Sequence, residues 1–167
     1  MKRIITTNLR MKTYAIMALL LFSTLSSAFA KMPKEPMVYY EYHAGNSYAR
    51  WAEKYVAELK EDGTVKLIYG RSEGRSADEY GDTLIVDASV MKHIEEIYLE
   101  HKMYKYEKRY RPELDVTDGD EWGVTAEFGI SRSERKLFSS TGYEAWPKDD
   151  GLKIINSYIK SFFEQRG

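Results

Sequence analysis

Acids, histidines and aromatics carry whatever chemistry this chain can do. The densest acidic stretch is Asp115-Val-Thr-Asp118-Gly-Asp120-Glu121. Clustered carboxylates suit a hard cation such as calcium. The spacing departs from a calcium-binding loop, because Asp115 as first ligand would need glycine at 120 and glutamate at 126, where Asp120 and Ala126 stand. Asp-Gly is ordinary turn chemistry, so the segment reads as a solvated turn. Gly70-Arg-Ser-Glu-Gly74-Arg75-Ser76 has the look of a phosphate loop but holds three residues between its glycines, not four. Arg75 also stands where the lysine belongs. Nucleophile motifs are lacking, since Gly129-Ile-Ser131-Arg-Ser133 has no closing glycine. Among 26 acids any two could be nominated as a hydrolytic pair, so no pair is singled out.

Three histidines remain. His43 follows the first strand without a metal-spaced partner. His93, Glu96 and Glu100 share one side of a helix, which allows a carboxylate–imidazole site but equally a solvated face. His101 falls in the apolar stripe of that helix near its C-terminus, where an imidazole can cap the last carbonyls and meet the negative end of the dipole. No residue set calls for a metal or other cofactor.

Tyrosine and tryptophan are the one excess, with 14 and 3 residues in the whole chain. Both pair a broad apolar face with a polar tip and are enriched at binding surfaces. Trp122 and the strand tyrosines have a packing role to explain them. Tyr143 and Trp146 fall just before Pro147, where no hydrophobic period demands them, and are the candidate binding residues.

The elements that must position these residues read as follows. Residues 31–36 form a loose, Pro-punctuated lead-in, and 37–167 a single domain. Val38-Tyr-Tyr-Glu-Tyr42 is a first strand. Tyr48, Trp51, Ala52, Tyr55, Val56 and Leu59 have helical spacing, yet Asp62-Gly63 between two apolar runs signals a hairpin of 54–60 with 64–69. The hairpin is the preferred reading, and a helix over 47–60 is the alternative. Residues 70–80 read as a polar loop. Asp87 caps a helix over about 87–102, with Val90, Met91, Ile94, Ile97 and Tyr98 on its apolar face. A second hairpin pairs Trp122–Phe128 with 136–140, and a last helix spans about 150–165. The order hairpin, loop, helix occurs twice. It predicts an α+β fold: an antiparallel sheet of two hairpins and an N-terminal strand, covered on one face by two helices.

Ahead of this domain, Met11 to Ala30 runs from Lys12 through an apolar core to Ala28-Phe29-Ala30. Basic start, short apolar middle and small-residue finish describe a secretory signal peptide, cleaved after Ala30. Translation from Met11 would still give a complete signal. The apolar run is short and serine-diluted against the ~20 residues of a spanning helix, so no membrane anchor is expected after cleavage. Residues 1–30 hold Lys2, Arg3, Arg10 and Lys12 and no acid, so 25 Lys+Arg and 26 Asp+Glu become 21 and 26, a formal charge of −5. That sign argues against nucleic acid as a partner. Cysteine is absent, which removes disulfides, thiolate metal sites and the lipid-bearing residue of a lipoprotein.

Tyr110-x-Pro112, Asp118-Gly119-x-x-Trp122, Ser139-x-x-Gly142-x-x-Ala145-x-Pro147 and Gly151-Leu152-x-x-Ile155-x-x-Tyr158 resemble motifs of small exported bacterial proteins of uncharacterised function. The resemblance implies an α+β domain and carries over no activity.

The expected function is an exported, periplasmic or extracellular, non-catalytic domain that binds a protein, peptide or glycan. Two alternatives stand beside it. One is an inhibitor of an extracellular enzyme acting through the 70–80 loop. The other is a hydrolase of envelope polymers using His93, His101 or two of Asp115, Asp118, Asp120 and Glu121. Export itself is directly testable: N-terminal sequencing of the product from the native host should begin at Lys31, and a product retaining residues 1–30 would contradict cleavage.

Overall fold

The computed structural model describes residues 31–46, 48, 50–73, 81–113, 118–131 and 135–166. The signal-peptide reading therefore lies outside the described residues, as do the candidate acid Asp115 and positions 74–80 of the polar loop.

The chain runs β1 (Met37–Asn46), β2 (Trp51–Leu59), β3 (Val65–Glu73), β4 (Asp82–Val86), α1 (Ser89–Glu100), a short 3-10 turn (Met103–Lys105), β5 (Arg109–Tyr110), β6 (Glu121–Phe128), β7 (Lys136–Tyr143) and α2 (Gly151–Glu164). All seven strands join one open sheet in the order β4-β3-β2-β1-β6-β7-β5. Every pairing is antiparallel except the two-residue parallel match of β5 with β7. Both helices cover the same face, giving the predicted α+β architecture.

Residues 51–59 are strand, not the alternative helix. Trp51, Tyr55 and Leu59 are four apart, which suits either period, because four is also twice the strand repeat. The turn decides. Gly63 adopts φ +81°, a left-handed value that glycine reaches without Cβ strain, and Lys60 N–H bonds the Thr64 carbonyl at 2.8 Å. Asp62 Oδ1 accepts from Thr64 N at 2.9 Å, which fixes the loop from the other side. The hairpin then continues past its predicted end. Gly70–Glu73, expected as loop, are paired strand opposite Trp51–Lys54.

Alternation along the strands sets the two faces. Leu84, Leu67, Ala57, Tyr40, Ala126 and Phe138 sit opposite one another across six strands on the inner face. Val90, Met91, Ile94, Ile97 and Tyr98 of α1 and Leu152, Ile155 and Ile159 of α2 close over that face. Burying such side chains contributes about 1.5–3 kcal/mol each, so this layer dominates the driving force. The outer face carries Glu41, Lys54, Glu58, Lys66, Thr125 and Glu127, with a Lys54–Glu41 contact of 3.5 Å. A solvated outer face is normal for an antiparallel sheet. His43 belongs to it too: its ring lies over Gly123, where a Cβ would come within 2.5 Å.

The helix ends follow their sequence signals. Asp87 Oδ1 accepts from Ser89 N at 2.8 Å and satisfies one of the free donors of α1. Asp149 does the same for α2, taking Gly151 N at 2.9 Å. Among the described residues no helix is long and apolar enough to cross a membrane.

One polar bond ties α2 to the middle of the sheet. Tyr40 is fully buried, and its hydroxyl donates to Asn156 Oδ1 at 3.0 Å. Asn156→Ala should destabilise the domain by about 1–3 kcal/mol in urea denaturation, because it strands a buried hydroxyl. Adding Tyr40→Phe to that variant should cost little more. Additive losses would contradict the pairing.

Candidate functional site

The segment from the end of β7 to the start of α2 is held by four successive anchors. Tyr143 is first, and its hydroxyl accepts from Gly119 N at 2.7 Å. The strand thus runs three residues beyond its expected end at Ser140, so Tyr143 belongs to β7 rather than to a loop. Glu144 comes next, at φ +48°, a left-handed conformation that is strained for a residue with a Cβ. Its carboxylate repays the strain by accepting Asp120 N at 2.6 Å, and its own N–H bonds the Asp120 carbonyl at 2.9 Å. The third anchor is the Ala145 carbonyl, which accepts the Trp122 indole N–H at 2.8 Å. The fourth is Asp149, whose Oδ1 takes the Tyr106 hydroxyl at 2.5 Å and lies 3.7 Å from His101 Nδ1.

Between the third and fourth anchors stands Trp146. Its indole lines the same cavity as the Tyr42 ring, and the residue remains 44% exposed. Together they edge a pocket of about 350 Å³ between the inner sheet face and the first turn of α2. Tyr42 and Tyr55 form its floor, with Glu53, Asp150 and Lys153 at its sides. Asn156 and Ser157 close the helix side. This volume lies at the small-molecule end of binding sites.

Electrostatics inside are one-sided. Three carboxylates (Glu53, Asp149, Asp150) face one ammonium, Lys153. Tyr55 donates its hydroxyl to Glu53 Oε1 at 2.5 Å. No salt bridge pairs Lys153 with any of the three among the described residues, and Glu53 feels a second cation, the Lys160 ammonium, only beyond ion-pair distance. Burial pushes the Tyr42 hydroxyl up to about 12, with the nearby Trp146 indole pulling down and the Glu53 and Asp120 charges pushing further up. Burial and then the Glu53 bond raise Tyr55 as well. Both phenols therefore stay neutral at physiological pH and act as hydrogen-bonding walls.

The remaining candidates sit elsewhere. His93 Nδ1 is 3.3 Å from Glu96, and its ring meets Tyr158 edge-on at 4.7 Å between centroids. His101, at the C-terminus of α1, makes the Asp149 contact described above, a tie between the end of one helix and the start of the other. Asp120 accepts from Asn46 Nδ2 at 2.8 Å, and the Asp118 carbonyl accepts from the same amide at 3.1 Å. Among the described residues, no hydrogen bond or ion pair joins either helical histidine to Asp118, Asp120 or Glu121. No three of their metal-capable side chains converge on one point either.

Sequence reasoning names Trp146, which the structure places at a pocket, but gives no sign of the pocket's other lining residues. Tyr42, Glu53 and Tyr55 lie about a hundred positions upstream in ordinary strand patterns. The nearest signal was Glu53, an acid at an inward-facing position of β2. No protein-family model matches the chain, and no curated protein has a similar sequence.

Proposed function

We propose that this chain is an exported, non-catalytic domain that binds a protein, peptide or glycan partner, with Trp146 and its pocket as the contact. The observation that carries the reading is a large aromatic side chain, 44% exposed, at the mouth of a cavity. An indole buried for stability alone would turn its face inward. Here the indole lines the cavity beside Tyr42 while leaving contact area open, and a site formed before binding lowers the entropic cost. Polar groups of both kinds beneath it supply the few directed bonds that a specific site needs.

Tyr143 contributes to the same contact indirectly. Its hydroxyl bond to Gly119 fixes the end of β7, from which the Trp146 segment departs. The export component rests on the Met11–Ala30 pattern, and the partner would be met in the periplasm or outside the cell.

The test is a comparison of capture. Immobilised protein and its Trp146→Ala variant are exposed to native envelope and medium, with bound material read by mass spectrometry and glycan detection. The variant should keep its thermal transition and recover about tenfold less of the same species, since aromatic anchors dominate binding energy. Equal recovery by both proteins would contradict the reading.

A further inference from the structure

We propose that the Trp146 pocket takes a glycan unit bearing a free amino group, its ring stacked on the indole and its ammonium held between Glu53 and Asp150. The inference rests on the reading of Trp146 as the contact and names the ligand class for it.

Three features point to that chemistry. The first is charge. Glu53, Asp149 and Asp150 line the cavity with Lys153 as its one lining cation, and Lys160 acts on Glu53 from outside the lining. Asp149 is already occupied by the Tyr106 hydroxyl and Gly151 N, which neutralise part of its accepting capacity. Glu53 has one oxygen engaged by Tyr55, and no cation pairs with it at ion-pair distance among the described residues. The Asp150 carboxylate makes no hydrogen bond to the helix it precedes. Two acceptors are therefore available for a cation, and an aromatic wall adds attraction for one.

The second feature is shape. Trp146 presents a flat, half-exposed face at the rim, while the Tyr42 and Tyr55 rings stand 6.1 Å apart at the floor. A pocket of about 350 Å³ is wider than an extended lysine side chain requires and accommodates a sugar ring. The third is the mixture of donors and acceptors. Lys153, Asn156 and Ser157 add donors on the helix side, which suits ring hydroxyls and is more than a bare ammonium would use.

The experiment titrates the full-length protein with three probes at about pH 6, below the ~7.7 of an α-amino group and the ~10.4 of a lysine. The probes are a β-1,4-linked glucosamine tetramer, its fully N-acetylated counterpart and tetralysine. Calorimetry gives affinity, and the indole N–H resonances report contact at Trp146. The glucosamine tetramer should bind about tenfold more tightly than the acetylated one, because acetylation removes the charge. Glu53→Gln, which keeps an oxygen for Tyr55, should erase that preference, and Asp150→Asn should reduce it. Trp146→Ala should weaken both sugars, while Trp146→Phe retains part of the binding.

Equal binding of the two sugars would overturn the amine requirement while leaving Trp146 as a contact. Tetralysine binding with the same Glu53 and Trp146 dependence, and no glucosamine binding, would overturn the sugar assignment in favour of a basic peptide. If none of the probes shifts the Trp146 resonance, the inference fails on its own. The broader reading fails separately, when Trp146→Ala leaves partner capture unchanged.

Discussion

The bond from the Trp122 indole to the Ala145 carbonyl is the constraint on which the Trp146 end of this domain depends. Trp122 lies in β6, almost wholly buried, and faces Gly142 across the β6–β7 ladder. Any side chain at 142 would collide with it: a Cβ there would sit 2.0 Å from the indole nitrogen and 2.5 Å from the Ala145 carbonyl. The glycine is what lets the indole pass beneath the strand end and reach the next segment. Tyr110 packs on the other side, with ring centroids 5.7 Å apart. A buried donor must be paired, so the indole fixes the path of the backbone one residue before Trp146.

From that fixed point the rest follows by short steps. Glu144 accepts a strained backbone, stabilised by its two bonds to Asp120. Asp149 then gathers Tyr106, His101 and the first N–H of α2 around one carboxylate oxygen. These ties hold the start of α2, and Tyr40–Asn156 secures its middle. The pocket lies between that segment, α2 and the strands beneath. Its walls belong to rigid elements, and only its rim is loop, an arrangement that favours binding without large rearrangement.

Much of the fold was legible in the chain. The apolar stripes of both helices are strongly periodic, and each is preceded by an aspartate that accepts a helix N–H. Asp62-Gly63 overrode helical spacing at 51–59 because only a turn with positive φ joins those two runs. Less legible was the β5–β7 match. Two residues carry no pattern, and the pairing depends on backbone groups such as Thr141 N to the Lys108 carbonyl at 3.1 Å. Tyr143 was misplaced into a loop for a related reason: β7 ends in Ser139-Ser-Thr-Gly-Tyr143, which has too little apolar alternation to read as strand. The pocket stayed hidden because its floor is made of residues that look like core. Whether an inward-facing tyrosine is covered depends on where a distant helix begins, and local sequence does not contain that distance.

The claim at the centre of this account is that Trp122 pins the segment carrying Trp146. Hydrogen exchange of the Trp122 indole proton, followed by NMR, tests it most directly. The account predicts exchange only through global unfolding, with a protection free energy matching that from denaturation. Exchange as fast as that of a free indole, in a protein otherwise folded, would contradict it.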